Sequence, residues 1–198
     1  MDTAEVFREA YDRTMVFEGH YSDNSADPGG ETFMGISRNW YPSWEGWAII
    51  DRYGPKNMPD NTLDSLHVAV KQFYLINFWD RIQGDKIAKL SVDVAIKMFD
   101  TAVNLGVSRA VTFLQEALNL LNINKRLYAE LTVDGKLGAR TMDTLTWYMH
   151  TRPGTPDENE RRLLTVYSFL QGGHYIALMK KHPTMEVFRG WFDRAAIV

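Results

Sequence analysis

The sequence predicts a mainly α-helical fold, six or so helices around one core, with a small irregular or β element near residues 20–37. Three observations carry this expectation. Apolar residues recur at three- and four-residue intervals along most of the 198-residue chain. Residues that start or stop helices sit at the edges of those stripes. The stretch densest in Gly, Asp, Asn and Pro, residues 19–37, lacks a helical stripe altogether.

Taken in order, Val6, Phe7, Ala10, Tyr11 and Phe17 give a first helix over residues 4–18, with Thr3 as its N-cap and Gly19 as its stop. Residues 19–37 read as an ordered loop or short hairpin. Leu63, Leu66, Val70, Phe73 and Tyr74 form a second stripe, and Ala95, Met98, Ala102 and Leu105 a third that begins near Ser91 and stops at Gly106. Ser108 is expected to cap a fourth helix, built on Val111, Leu114, Ala117, Leu118 and Leu121 and broken by Asn122 to Lys125. An Asp-Gly turn follows in Val133-Asp134-Gly135-Lys136-Leu137-Gly138, and Thr141 is placed as the cap of a short helix through Leu145 and Met149. The linker-like segment Thr151–Asp157 is too short to separate independent domains. A long helix over about 158–181 ends before His182-Pro183.

Composition narrows the function classes. Hydrophobic residues at 45% and charged residues at 24% describe a folding chain. A net charge of −3 offers no global attraction to phosphate backbones, so nucleic acid is not an expected partner. The absence of cysteine excludes disulfides, thiolate zinc sites and a cysteine nucleophile. The N-terminal residues lack a basic and an apolar signal region, and no apolar run approaches the roughly 18 residues of a membrane span; export is expected to need outside help. The five histidines have no metal-ligand spacing, and Asp23, Asn24 and Asp27 match a calcium loop only loosely. No metal and no cofactor is expected, and no phosphate loop, dinucleotide fingerprint or Gly-x-Ser-x-Gly elbow occurs.

Glu18 lies one turn after Thr14, two after Tyr11 and three after Phe7, on the stripe that the first helix buries. Burial there would raise its pKa, the condition for a general acid at neutral pH; the alternative is a glutamate frayed into solvent at a helix end. Asp27 follows on the Gly-rich loop. Two carboxylates in one cleft are glycosidase chemistry, one protonating the leaving oxygen and the other activating water or attacking the sugar. Thr32 offers a hydroxyl to position water, and Gly29-Gly30 a close backbone approach; Asp27-Pro28-Gly29-Gly30 also reads simply as a β-turn. Trp40, Tyr41, Trp44 and Trp47 form an aromatic patch able to stack on sugar rings, with core packing as the commoner explanation. Trp79, Trp147 and Trp191 read as structural.

Phe17-Glu18-Gly19-His20-Tyr21, then Asp27-Pro28-Gly29-Gly30-Glu31-Thr32 and Gly35-Ile36-Ser37, resemble the signature of glycoside hydrolase family 108. These are N-acetylmuramidases that include prophage endolysins and secretion-activator proteins. The resemblance continues through Phe78-Trp79-Asp80, Phe99–Gly106, Val133–Gly138 and Arg189–Arg194, nearly the whole chain. It implies a lysozyme-like α-helical fold, with a muramidase region at 1–92 and a predicted peptidoglycan-binding helical region at 93–198, packed into one globular unit. Glu18 matches the glutamate of the family's Glu-Gly-Gly-Tyr motif, the implied general acid. Asp27 and Thr32 are similar to the second and third members of the Glu/Asp/Thr set of phage-type lysozymes, whose threonine usually comes one position later. Tyr21, which the motif places beside Glu18, and Gly30 are the implied substrate contacts. Asp100 and Asn104 stand one turn apart on a helix, where a cleft role for both fits as well as a place in a separate binding domain. The sequence departs from the family at His20, at Asn24-Ser25-Ala26 and at Met34.

The resemblance implies hydrolysis of the β-1,4 bond between N-acetylmuramic acid and N-acetylglucosamine, with inversion expected by analogy with lysozymes. It implies a monomer acting on peptidoglycan glycan strands, made in the bacterial cytoplasm without a signal peptide and reaching the periplasmic wall with the help of a holin or secretion machinery. Two alternatives stay open: a non-catalytic peptidoglycan-binding or secretion-associated protein, and a lytic transglycosylase, with water or Asp100 taking the second role should Asp27 face solvent.

Overall fold

In the computed structural model, which describes residues 2–16, 21–23, 30–55, 58–187 and 190–196, the turn-rich stretch folds as a three-stranded antiparallel sheet: β1 (Tyr21–Asp23), β2 (Glu31–Phe33) and β3 (Ile36–Ser37), in that order. Tyr21 pairs with Phe33, Ser22 with Thr32 and Asp23 with Glu31, while Thr32 pairs with Ser37 and Phe33 with Ile36. The β2–β3 connection is the two residues Met34 and Gly35, with φ of 45° and 79°, the pattern of a type I′ hairpin turn. Glycine adopts that conformation freely, but methionine does not, so Met34 has to be held. The Tyr74 hydroxyl holds it, donating to the Met34 carbonyl at 2.8 Å.

The chain divides into two units, Tyr11–Asn77, and Met1–Ala10 with Phe78–Val198. The smaller unit contains the sheet, the end of α1 (Thr3–Met15), α2 (Gly46–Tyr53) and α3 (Asp60–Tyr74). Its core is aromatic. Phe33 stacks on Trp44 at 6.3 Å, Trp44 meets Trp47 edge-on at 5.1 Å, and Tyr41 meets Phe73 at 4.7 Å. Leu66, Val70, Phe73 and Tyr74 are the buried face of α3, as their spacing predicts.

The larger unit holds α4 (Gly84–Ala88), α5 (Val92–Leu105), α6 (Val107–Leu120), α7 (Ala139–His150), α8 (Pro156–Lys181) and α9 (Gly190–Ala196). Every residue from Val94 to Ala102 is buried, so α5 is its central element, with α4, α6 and α8 packed on it. α5 begins near Ser91 as expected, and Ser91 is its cap, accepting from the Val94 N–H at 3.0 Å while its hydroxyl donates to Glu160 of α8. The boundary expected between residues 92 and 93 falls in the first turn of α5, within this unit. Thr155 and Glu158 form a reciprocal capping box, with Pro156 as the first residue of α8.

Nine α-helices occur among the described residues, against the six or so expected. Those the periodicity misses, α2, α4 and α9, span eight, five and seven residues, too short to repeat a stripe. Three expected caps are displaced. Thr3 is the first residue of α1, and the Glu5 carboxylate accepts from the Asp2 N–H at 3.1 Å. Ser108 lies inside α6 because Gly106, at φ 87°, ends α5 and starts α6 in one residue. Thr141 lies inside α7, where its hydroxyl accepts from Gln115 at 3.2 Å. Buried Gln115 also organises the Asp-Gly segment, accepting from the Asp134 and Gly135 amides at 3.1 and 2.9 Å and donating to the Asp134 carboxylate at 2.9 Å.

Two buried charges on α5 receive α9. The Lys97 ammonium donates to the carbonyls of Arg194 and Ala195 at 3.1 and 2.7 Å, and Asp100 pairs with Arg194 at 3.3 Å. Cationic donors suit the carbonyl end of a helix, but burial disfavours the charge and lowers the Lys97 pKa to about 8.

The unfolded chain keeps that proton up to about 10.5. Between the two values the unfolded state binds more protons, so stability rises with pH. Above pH 10 the sign reverses, because burial raises Tyr11 and Tyr175 to about 12 and Tyr128 and Tyr167 further still, and the folded state retains phenol protons that the unfolded chain releases. Urea unfolding should show stability rising by on the order of 2 kcal/mol between pH 8 and 10, a rise that Lys97→Met removes. Tyr74→Phe should cost about 1 kcal/mol in the same assay, for the turn hydrogen bond it deletes.

Candidate functional site

Residues directly opposed in an antiparallel sheet share a face. Ser22, Thr32 and Ser37 therefore form a row of hydroxyls on one face, while Tyr21, Phe33 and Ile36 lie on the other, where Phe33 and Ile36 enter the core. Thr32 is half-buried, and its hydroxyl donates to the Gly30 carbonyl at 3.2 Å, leaving the oxygen free to accept. Gly30 has φ 62°, a conformation that favours glycine.

A polar network ties this sheet to α2. The Tyr21 hydroxyl donates to Glu31 at 3.2 Å. The Arg38 Nε lies 2.6 Å from Glu31, and the guanidinium makes a bidentate pair with Asp51 at 2.6 and 3.1 Å while covering the Trp47 ring at 4.5 Å. The hydrogen bond from Arg38 holds the Asp51 carboxyl below its ordinary range, and desolvation, then Glu31, pushes the Tyr21 phenol up. Sequence reading misses this network. Counting outward from the Met34-Gly35 turn would have set Glu31 opposite Arg38, whose amide donates to the Glu31 carbonyl at 2.8 Å. Nothing in the sequence marks Asp51, which reaches Arg38 from a separate helix.

The aromatic patch divides. Trp44 and Trp47 are core residues, 9% and 3% exposed, Tyr41 is half-buried, and Trp40 is 71% exposed. Trp47 also donates from its indole nitrogen to the Tyr41 carbonyl at 2.8 Å. Packing accounts for Trp47, while Trp44 packs in the core and leaves only a small exposed edge along a groove beside α2 and α3.

Glu18 falls in the chain between α1 and β1, and Asp27 between β1 and β2; both lie outside the described residues, as do the stop expected at Gly19 and the departures at His20 and Asn24–Ala26. The first helix, expected over residues 4–18, ends at Met15, and Val16 is a 79% exposed turn residue.

In the larger unit, Asp100 is 1% exposed and ion-paired with Arg194. Asn104, one turn on, is half-buried and accepts from the Tyr175 hydroxyl at 2.8 Å, which in turn accepts from Gln171 at 2.9 Å. Trp191 stacks on Tyr175 at 5.0 Å. Both residues thus belong to a polar seam where α8 and α9 meet α5. The structure places Tyr21 and Thr32 on opposite faces of the sheet, with Gly30 just before β2, and brings Asp100 and Asn104 together in this seam. Among the described residues, no group of three or more histidines or carboxylates is placed to hold a metal ion.

Residues 11–106 match the family model described as Glycosyl hydrolase 108, and residues 109–196 the model described as Predicted Peptidoglycan domain. The chain belongs to the glycosyl hydrolase 108 family. It is a glycoside hydrolase with peptidoglycan as its substrate or partner. The first model ends at Gly106, the residue that closes α5, and it includes all of Tyr21, Gly30, Thr32, Asp100 and Asn104. The solved structure of SagA from Brucella abortus is similar at 23% identity and a TM-score of 0.52, over 98% of this chain and 96% of that one; this likeness concerns the fold. No curated protein matches the chain. The mainly helical, lysozyme-like architecture read from the sequence is the one this glycosyl hydrolase adopts.

Arg38→Gln in this hydrolase should free β3 from α2. Amide hydrogen exchange at residue 38 should become roughly tenfold faster, the equivalent of one net hydrogen bond, with a smaller change for Asp51→Asn, which keeps the Glu31 pair.

Proposed function

We propose that this glycosyl hydrolase is a muramidase, cleaving the β-1,4 bond between N-acetylmuramic acid and N-acetylglucosamine with Glu18 as general acid. One observation carries the reading. The Glu18-Gly19-x-Tyr21 motif lies inside the matched family segment and leads directly into β1, whose Ser22 pairs with Thr32. The sheet thus holds Thr32 in fixed register opposite Ser22, one residue on from Tyr21, with Gly30 bonded to the Thr32 hydroxyl and Tyr21 anchored by Glu31.

In this mechanism Glu18 delivers its proton to the glycosidic oxygen as the C1–O bond breaks, and charge develops on the oxocarbenium-like sugar. Asp27 takes a proton from a water whose oxygen bonds to C1 from the opposite face, inverting the anomeric centre. Thr32 orients that water: its own hydrogen is used on the Gly30 carbonyl, so its oxygen accepts a water hydrogen. The products are a reducing N-acetylmuramic acid end and a free hydroxyl on the next sugar.

Mass spectrometry of fragments released from purified sacculi tests the proposal. Wild type should release reducing-end muramic acid, and Glu18→Gln nothing, with its circular dichroism unchanged. Anhydro ends from the wild type would establish a transglycosylase instead, and binding without release by either protein a non-catalytic module. Thr32→Val should lower kcat by about 10- to 100-fold with little change in KM, and Thr32→Ser should retain most of the turnover.

A further inference from the structure

Within the smaller unit, a groove of ≈ 350 Å³ opens beside α2 and α3, its walls including Tyr41, Trp44 and Phe73 and its rim Glu45, Gln72 and Asn77. None of these belongs to the Tyr21, Gly30 and Thr32 set. We propose that the groove is a second carbohydrate site, which binds a neutral N-acetylhexosamine ring, the N-acetylglucosamine unit of the glycan strand. The inference rests on the reading of peptidoglycan glycan as the substrate and adds to it where, and through which sugar, the strand is held.

Size comes first. The volume is at the lower end of small-ligand pockets, roughly 300–1,000 Å³, suited to one or two sugar rings. The walls are aromatic and immobile. Trp44 and Phe73 are 9% and 8% exposed, and each is locked edge-on against other rings, Trp44 by Trp47 at 5.1 Å and Phe73 by Tyr41 at 4.7 Å. Rigid aromatic walls suit the C–H faces of a pyranose and lose little freedom on binding. The wall also depends on a local device. A Cβ at residue 46 would stand 2.3 Å from the Trp44 ring, so Gly46 is what lets the indole lie back against the start of α2.

The rim supplies neutral hydrogen-bonding groups. The Asn77 amide nitrogen donates to the Phe73 carbonyl at 2.9 Å, which leaves the side-chain oxygen to accept from an acetamido N–H or a hydroxyl. Gln72 is exposed and offers both a donor and an acceptor. Charge then chooses between the two sugars of the strand. Glu45 is exposed, and among the described residues the lining contains no lysine, arginine or histidine. The lactyl carboxylate of N-acetylmuramic acid would face the like charge of Glu45, whereas N-acetylglucosamine brings no charge.

The test titrates N-acetylglucosamine, and separately N-acetylmuramic acid, into full-length Glu18→Gln, so that binding is read without turnover. Backbone amide shifts are followed by NMR. Saturable shifts at Ser43, Glu45, Gln72 and Asn77 are expected, weakened about fivefold or more by Gln72→Ala, the loss of about one hydrogen bond. N-acetylmuramic acid should bind more weakly than N-acetylglucosamine, and Glu45→Gln should narrow that difference. Sugar-induced shifts confined to Tyr21 and Thr32, or an affinity unmoved by Gln72→Ala, would overturn the groove. The muropeptide assay on wild type separates the two readings. Release without groove shifts overturns the groove alone, and groove shifts without release support the groove while overturning the muramidase.

Discussion

The hydrogen bond from Tyr74 to the Met34 carbonyl is the contact on which the geometry of the smaller unit depends. It connects a buried position of α3 to a turn in which a methionine adopts a left-handed conformation. That turn sets the register of β2 against β3. Side chains alternate between faces with a period of two, so a slip by one residue would send Phe33 to the hydroxyl face and Thr32 to the core. The aromatic cluster opposes such a slip from below, because Phe33 and Ile36 are buried only in the observed register. Arg38 opposes it from the other end of the hairpin through Glu31, Asp51 and Trp47. The site hydroxyl is thus positioned by contacts that never touch it.

In the larger unit the comparable constraint is charge inside α5. Burying an ammonium and a carboxylate three residues apart is unfavourable unless both are satisfied. α9 satisfies them, with its terminal carbonyls on Lys97 and Arg194 on Asp100. These interactions specify where the short last helix sits, a task its seven residues could not perform through apolar area alone. Asn104 extends the seam through Tyr175 to Gln171. The Asp100–Asn104 spacing, which suggested a pair of ligand contacts, is equally the spacing of two residues that receive α8 and α9.

Legibility in the sequence followed length and locality. α3, α5 and α6 each repeat an apolar stripe over three or more turns, and the edges of α5, α6 and α8 are readable to within a few residues from Ser91, Gly106, Asn122 and His182-Pro183. The capping box of α8 and the Ser91 cap are local in sequence, but the stripe alone marks only where α5 begins, near Ser91. Ser108 and Thr141 were misplaced as caps because a threonine or serine near a helix start looks alike whether it caps the helix or lies inside its first turn. Tyr21, Gly30 and Thr32 stand out by motif, whereas Arg38 and Asp51 carry no motif and gain their meaning only from a fold that makes them neighbours.

The sequence by itself determined the helical class, the position of the hairpin and the family motif, because each is encoded in residues close together along the chain: a period, a turn pair, a run of three or four side chains. Tertiary structure alone decided that Trp44 and Trp47 are core, that Asp100 answers Arg194, and that Arg38 bridges Glu31 and Asp51. Such assignments depend on which partners arrive from distant segments. Burial and charge pairing are properties of the space around a side chain, and chain order does not contain that space.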